Sequence, residues 1–279
     1  METVLGVIGS PISHSLSPIM HKAAYDELGL DYTYHAFHVE SNELKAAIDG
    51  VKGLGLKGLN VTIPHKVSVI QYLDHIDPLA KEIGAVNTIV NDGGTLIGYN
   101  TDGEGYVKSL INRLGTSLTN RRVLIIGAGG ASKAVALSLA KSGVETIGIT
   151  NRTLSKAEGL SLICSPYTQS EAMTLGIAQA RLTEFDIIIN TTSIGMTPDI
   201  EKMPISLEKL SKGSFVSDLI YNPFQTRFLC EAEKKGANIM NGVDMFVYQG
   251  ALAFEKWFDK EAPIKVMKDT VLKNLGGVK

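Results

Sequence analysis

Four short stretches of the first 103 residues gather side chains that can hold and protonate a small polar molecule. They are Gly9–Pro18, which contains Ser15 and Ser17; Asn60–Lys66, which contains Thr62; Ala85–Thr88, with Asn87; and Asn100–Gly103, with Asp102. Each residue alone serves as a turn or cap more often than not. Asn, Thr, Lys and Asp collected at the ends of expected strands are unusual for packing, and open α/β sheets bind ligands at the carboxyl ends of their strands. Reducing a ketone needs an acid for the developing alkoxide and donors that hold the substrate, and these stretches contain both. Pro18 suits the first helical position and Ser17 the N-cap. Capping alone explains Ser17, whereas Ser15 and Ser17 together at a helix start would also cradle a carboxylate.

A second group of residues binds rather than reacts. Gly127-Ala128-Gly129-Gly130-Ala131 follows the densest apolar run of the chain, Val123–Ile126, and precedes a helix expected to reach Lys141. Glycines there permit a tight turn and let backbone N–H groups approach a pyrophosphate at the positive helix end. Ser132 stands where the dinucleotide fingerprint usually has Gly or Ala. The next strand ends in Thr150-Asn151-Arg152-Thr153 with no carboxylate for a ribose 2′-hydroxyl. Arg152 instead offers a guanidinium fork to a 2′-phosphate, Asn151 and Thr153 offer polar partners, and Lys156 adds charge. The expected cofactor is NADP rather than NAD.

The elements that position these residues follow from the alternation of Val/Ile-rich runs with amphipathic segments, the mark of βαβ units. Strands are expected near Val4–Ile8, Tyr32–His38 and Gly58–Thr62, with helices near Ile19–Leu28 and Asn42–Val51. Val86–Val90 and Thr95–Gly98 flank Asn91-Asp92-Gly93-Gly94, a hairpin signal, so the first half is mixed. Patterning relaxes over Leu114–Asn120. Beyond it, strands at Val123–Ile126, Thr146–Thr150, Asp186–Asn190, Phe215–Leu219 and Ala237–Met240 predict a doubly wound domain, followed by a helix over Met245–Trp257. The fold class is α/β, with an N-terminal mixed substrate domain and a Rossmann-like dinucleotide domain.

Composition excludes several alternatives. A net charge of −2 over 279 residues gives no footprint for nucleic acid or an anionic membrane. No stretch approaches the ~18 apolar residues of a membrane helix, and the amino-terminal residues lack the basic start of a signal peptide. Cys164 and Cys230 cannot make a disulfide framework, so two buried free thiols in a reducing compartment are expected. His35 and His38, three apart on a strand, point to opposite faces; no metal site is expected.

The chain resembles the shikimate dehydrogenase family over nearly its whole length. The matching stretches are His14-Ser15-Leu16-Ser17-Pro18 with His21, Asn60–Lys66, Gly84–Thr88, Asn100–Gly103, Gly127–Ala131, Asn151–Thr153, Asn190–Ser193, Asp218–Pro223 and Gln249-Gly250-Ala251. Lys22 departs from the Asn that usually follows His21. The resemblance implies reversible reduction of 3-dehydroshikimate to shikimate with NADPH, on the route to aromatic amino acids. It makes Lys66 and Asp102 the catalytic pair. Ser15, Ser17, Thr62, Asn87, Asp102, Tyr221 and Gln249 would hold substrate. Leu219 and Gly242 would join the cofactor group, near the nicotinamide. Domains are expected at residues 1–101 and 102–240, with helices over 241–279 returning to the first. A cytoplasmic monomer or homodimer is expected. The competing readings are a quinate/shikimate dehydrogenase using NAD and a catalytically silent sensor of dinucleotide or shikimate.

Overall fold

The computed structural model describes residues 3–276. In chain order the elements are β1 (Thr3–Gly9), α1 (Ser17–Glu27), β2 (Tyr32–His38), α2 (Leu44–Gly53), β3 (Gly58–Val61), β4 (His75–Ile76), α3 (Pro78–Ile83), β5 (Thr88–Asp92), β6 (Thr95–Tyr99) and α4 (Asp102–Leu114). They continue with β7 (Arg122–Ile126), α5 (Gly130–Lys141), β8 (Thr146–Thr150), α6 (Leu154–Cys164), β9 (Gln169–Met173), α7 (Leu175–Ala180), β10 (Ile187–Asn190) and β11 (Phe215–Asp218). The last are α8 (Arg227–Lys234), β12 (Asn238–Met240), α9 (Val243–Phe258) and α10 (Ile264–Asn274). Two compact units result, one from residues up to 105 together with those from 246, the other from 106–245.

In the first unit the sheet order is β2-β1-β3-β5-β6-β4. β1 runs parallel to β2 and β3, while β5 is antiparallel to both β3 and β6. The β5–β6 turn uses Gly93 and Gly94, both at positive φ, and the Gly94 N–H donates to Asn91 Oδ1. That is the twist a two-residue hairpin demands. In α1 the buried residues are Ser17, Met20, His21, Ala24 and Tyr25, a stripe at helical spacing. Its start differs from expectation. Leu16 occupies the cap position without a side-chain bond, Ser17 is already helical, and it is Ser15 Oγ that accepts the Ser17 N–H, at 3.3 Å. The helices from 246 onward complete this unit's core. Trp257 Nε1 donates to Ile89 O, and a Cβ on Gly58 would strike the Trp257 ring.

In the second unit all six strands are parallel, in the order β12-β11-β10-β7-β8-β9. Val123, Leu124, Ile125 and Ile126 are all buried, as strands covered by helices on both faces require. The relaxed stretch 115–121 links α4 to β7, but the division of units falls inside α4. The reason is packing, since Tyr106 and Leu110 are buried in the second unit's core. Two strands have no sequence signal: β4 is two residues long, and β9, Gln-Ser-Glu-Ala-Met, is a polar edge strand with only Met173 buried. Cys164 is buried, but Cys230 is only half-buried, and neither forms a disulfide among the described residues. Among the described residues no cluster of His, Cys, Asp or Glu could hold a metal, and no helix is long and apolar enough to cross a membrane.

Candidate active site

Lys66 lies on the turn that ends β3. His65 anchors that turn: its ring is fully buried, and Nε2 lies 2.7 Å from Val39 O. His65 N–H donates to Thr62 O, and Lys66 O accepts the Val86 N–H at 2.7 Å. The lysine side chain, 29% exposed, reaches Asp102, 10% exposed, with Nζ 2.6 Å from Oδ2. Asp102 opens α4, and its N–H is held by Asn100 Oδ1. A carboxylate belongs at a helix start, where unpaired N–H groups and the helix dipole favour negative charge.

The second oxygen of Asp102 is taken by Asn87, whose Nδ2 donates to Oδ1 at 2.9 Å. Asn87 is buried after β3 and before β5, and its Oδ1 accepts the Thr101 N–H at 2.8 Å. Lys66, Asn87 and Asp102 therefore form one connected group. Thr62, half-buried, is on the same turn as Lys66. Ser15 and Ser17 flank the start of α1, and Ser17 is buried. Gln249, on α9, donates to Phe246 O at 2.7 Å, and a Cβ on Gly105 would lie 2.7 Å from its backbone nitrogen. That close packing sets α9 against the first turn of α4. Such an assembly can donate a proton from an ammonium while a fixed carboxylate holds that ammonium in place.

In the second unit the glycine turn has the geometry its residues predict. Gly127 has φ +118, and a Cβ there would lie 2.6 Å from Thr191 Oγ1. A side chain at Gly129 or Gly130 would meet only open space, so the α5 N-terminus presents bare backbone. Ala128 is half-buried and Ala131 exposed. Ser132, the departure from the fingerprint, is buried and braces the turn: its Oγ accepts the Gly129 N–H at 3.0 Å and lies 2.6 Å from Thr191 Oγ1. At the end of β8, Asn151 Nδ2 donates to Thr153 O, while Arg152 and Lys156 are exposed with no ion pair among the described residues. Two uncommitted cations and no carboxylate fit a 2′-phosphate.

Leu219 and Tyr221 follow β11, and Gly242 follows β12. Gly242 N–H donates to Ile220 O at 3.0 Å, and a Cβ on Gly242 would collide with Leu219 O. Burial raises the Tyr221 phenol. The loop is anchored by Asp218, which has no expected role of its own. Its carboxylate is fully buried and accepts from Asn190 Nδ2, Ile220 N–H and Thr226 Oγ1 at 3.1, 3.0 and 2.8 Å. Burial pushes it up to about 6, and those three hydrogen bonds restrain the rise. A lone charged residue at the end of a buried strand was the available signal. The expected site residues likewise leave out Asn60, Tyr34 and Thr88, all three buried.

A glycine-turn dinucleotide unit joined to a mixed α/β unit carrying a lysine–carboxylate pair defines a two-domain oxidoreductase architecture. Family models match residues 7–89 (shikimate dehydrogenase substrate binding domain), 109–216 (shikimate/quinate 5-dehydrogenase) and 242–272 (shikimate 5′-dehydrogenase C-terminal domain). The chain is 52% identical to a Bacillus cereus protein named shikimate dehydrogenase (NADP(+)), over 99% of this chain and all of that one. A solved shikimate dehydrogenase in complex with NADP+ is 45% identical with a TM-score of 0.91, covering 98% of this chain and 96% of that one. The shikimate 5-dehydrogenase of Listeria monocytogenes, solved with shikimate and NAD, is 36% identical with a TM-score of 0.91, covering 97% and 96%. The chain belongs to the shikimate dehydrogenase family.

Proposed function

We propose that the chain is an NADP-dependent shikimate dehydrogenase that interconverts 3-dehydroshikimate and shikimate. The observation that carries this reading is the 2.6 Å Lys66–Asp102 pair with its second carboxylate oxygen fixed by Asn87. In the reductive direction the Lys66 ammonium gives its proton to the oxygen that was the ring ketone; in the oxidative direction the neutral amine takes the hydroxyl proton. Asp102 orients the ammonium and accepts from a substrate hydroxyl. Ser15 and Ser17 receive the substrate carboxylate, and Thr62, Asn87, Tyr221 and Gln249 its hydroxyls. NADPH, when bound, supplies the hydride. Backbone N–H groups of Gly127–Ala131 would hold its pyrophosphate, Asn151, Arg152, Thr153 and Lys156 would hold its 2′-phosphate, and Leu219 and Gly242 would serve its nicotinamide end.

The uncommitted Arg152 guanidinium, with no carboxylate at the end of β8, supports NADP over NAD. Two cysteines without a disulfide agree with a cytoplasmic setting, and the assembly is a monomer or homodimer. The test follows absorbance of the reduced nicotinamide with shikimate or quinate against NADP or NAD. Turnover confined to shikimate with NADP is the expected result. Turnover with quinate and NAD would replace this reading with the broader enzyme, and no turnover by folded protein would leave a sensor.

A further inference from the structure

The donors that reach Asp102 do not end at Asn87. Asn60 Nδ2 donates to Asn87 O and to Thr88 Oγ1, both at 3.1 Å. Because a backbone carbonyl only accepts, this amide cannot be turned round, so Asn60 Oδ1 must face the Tyr34 hydroxyl, 2.6 Å away, as acceptor. Thr88 Oγ1 receives the Asn60 N–H and sends its own proton to Asn87 Oδ1, at 3.0 Å. Asn87 Oδ1 also takes the Thr101 backbone N–H, which leaves Nδ2 to face Asp102. Along this path the protons point one way: Tyr34 to Asn60, Asn60 to Thr88, Thr88 to Asn87, Asn87 to Asp102. The Thr101 hydroxyl sits beside it, accepting from Asn87 Nδ2 at 2.9 Å and donating to Oδ1 at 3.2 Å. Lys66 approaches the other oxygen, so both carboxylate oxygens must accept.

All five residues of the path are buried. In a water-poor interior, hydrogen bonds aligned in series polarise one another.

We propose that Tyr34, Asn60 and Thr88 are positioning residues whose one-way hydrogen-bond chain holds Asp102 in its accepting form and so holds Lys66 for proton transfer. The proposal rests on the catalytic reading of Lys66 and Asp102. Tyr34 is a suitable terminus. Its ring stacks on His21 at 4.4 Å between centroids, and burial, with Tyr25 nearby, keeps the phenol protonated. The titratable groups facing the chain are Tyr34, Asp102 and Lys66, with His21 stacked on the Tyr34 ring and Tyr25 nearby.

Three variants test this in the full chain, with the pH profile of kcat as the readout. Tyr34→Phe keeps the stacked ring and Thr88→Val keeps the strand shape, and each removes one hydroxyl. Each should lower kcat about 5- to 20-fold, the worth of about one hydrogen bond, with a smaller change in KM for shikimate. The acid limb of the profile should move upward. Thr88→Ser, which retains the hydroxyl, should restore wild-type behaviour. A lowered melting temperature with an unmoved profile in both hydroxyl-deletion variants would overturn the proposal; if Tyr34→Phe fails to fold, Thr88→Val decides. Asp102→Asn runs beside them. Undiminished kcat there overturns the catalytic pair and this chain with it. Lost kcat there, with wild-type profiles in the other variants, overturns the chain alone.

Discussion

Asp102 and Asp218 are both buried carboxylates at the carboxyl ends of sheets, one in each unit, yet their surroundings differ. Asp102 faces a lysine ammonium at 2.6 Å on one oxygen and the Asn87 amide on the other. Asp218 accepts from Asn190, Thr226 and the Ile220 N–H, all neutral donors, and is pushed up to about 6. A charge opposite makes a carboxylate useful in proton transfer; neutral donors make it a tie between segments. Residue type and burial alike fail to separate the two. The partner does.

The sharpest way to break that comparison is to remove each acid in turn. Asp102→Asn and Lys66→Ala should each lower kcat by about 10²–10⁴, the range of a lost acid–base group. Asp218→Asn should act mainly on KM for the cofactor, since Asp218 anchors the loop bearing Leu219 and Tyr221. If steady-state kinetics show the larger kcat loss in Asp218→Asn, the roles are reversed.

The units also differ in how acid should affect them. His21, in the first unit, is fully buried, both ring nitrogens have no hydrogen-bond partner among the described residues, and burial lowers it to about 3. A depressed folded pKa means that its stabilising contribution is complete above about pH 6.5 and is lost as pH falls toward 3. At about 1.4 kcal/mol per unit this is on the order of 4–5 kcal/mol. Asp218 has the opposite sign: its folded pKa is raised, so its contribution is complete below about pH 4 and is lost as pH rises through 6, on the order of 3 kcal/mol. Acidification from about pH 7 to about pH 4 should therefore weaken the first unit relative to the second. Trp257 is the sole tryptophan and lies 5.4 Å from the His21 ring, so its fluorescence reports the first unit during denaturant unfolding. Amide exchange in β10 and β11 reports the second. Parallel loss in the two signals would refute the contrast.

Arg152→Ala should raise KM for NADP by about 10- to 100-fold, the worth of charge-assisted hydrogen bonds, and leave KM for NAD unchanged. An equal effect on both cofactors would mean that Arg152 does not read the 2′-phosphate. The smallest change is expected for Ser17→Ala, about 3- to 10-fold in KM for shikimate. Ser15 rather than Ser17 takes the backbone N–H at the start of α1, so thermal stability should change little. A large drop in melting temperature would return Ser17 to a structural role.

How far these features could be read in advance depended on how local their causes are. β7 and the glycine turn are set by neighbours in sequence, four apolar residues followed by Gly-x-Gly, and they stand where the pattern puts them. So does the Gly93-Gly94 hairpin. The edge strand β9 carries polar residues because only Met173 is buried, so nothing in its alternation marked it. α4 was harder for another reason. Asp102 at its start joins the Lys66 network while Tyr106, four residues on, enters the second core, and no composition shift accompanies that change. In the site, clustering drew notice to Lys66, Asn87 and Asp102. Tyr34 escaped because its β2 segment reads as an ordinary strand, and only the spatial pairing of β1 with β2 and β3 brings it to Asn60.

The return of the chain to its first unit has a consequence for synthesis. Residues 106–245 are contiguous, so the ribosome delivers that unit whole before the other is complete. The earlier-made unit must wait for α9, because Trp257 fills the space that Gly58 leaves open and bonds to Ile89 O. Domains emerging from the ribosome generally fold amino-terminal first; here the later-made unit can close first, and the nascent amino-terminal third is the part that needs shielding from aggregation.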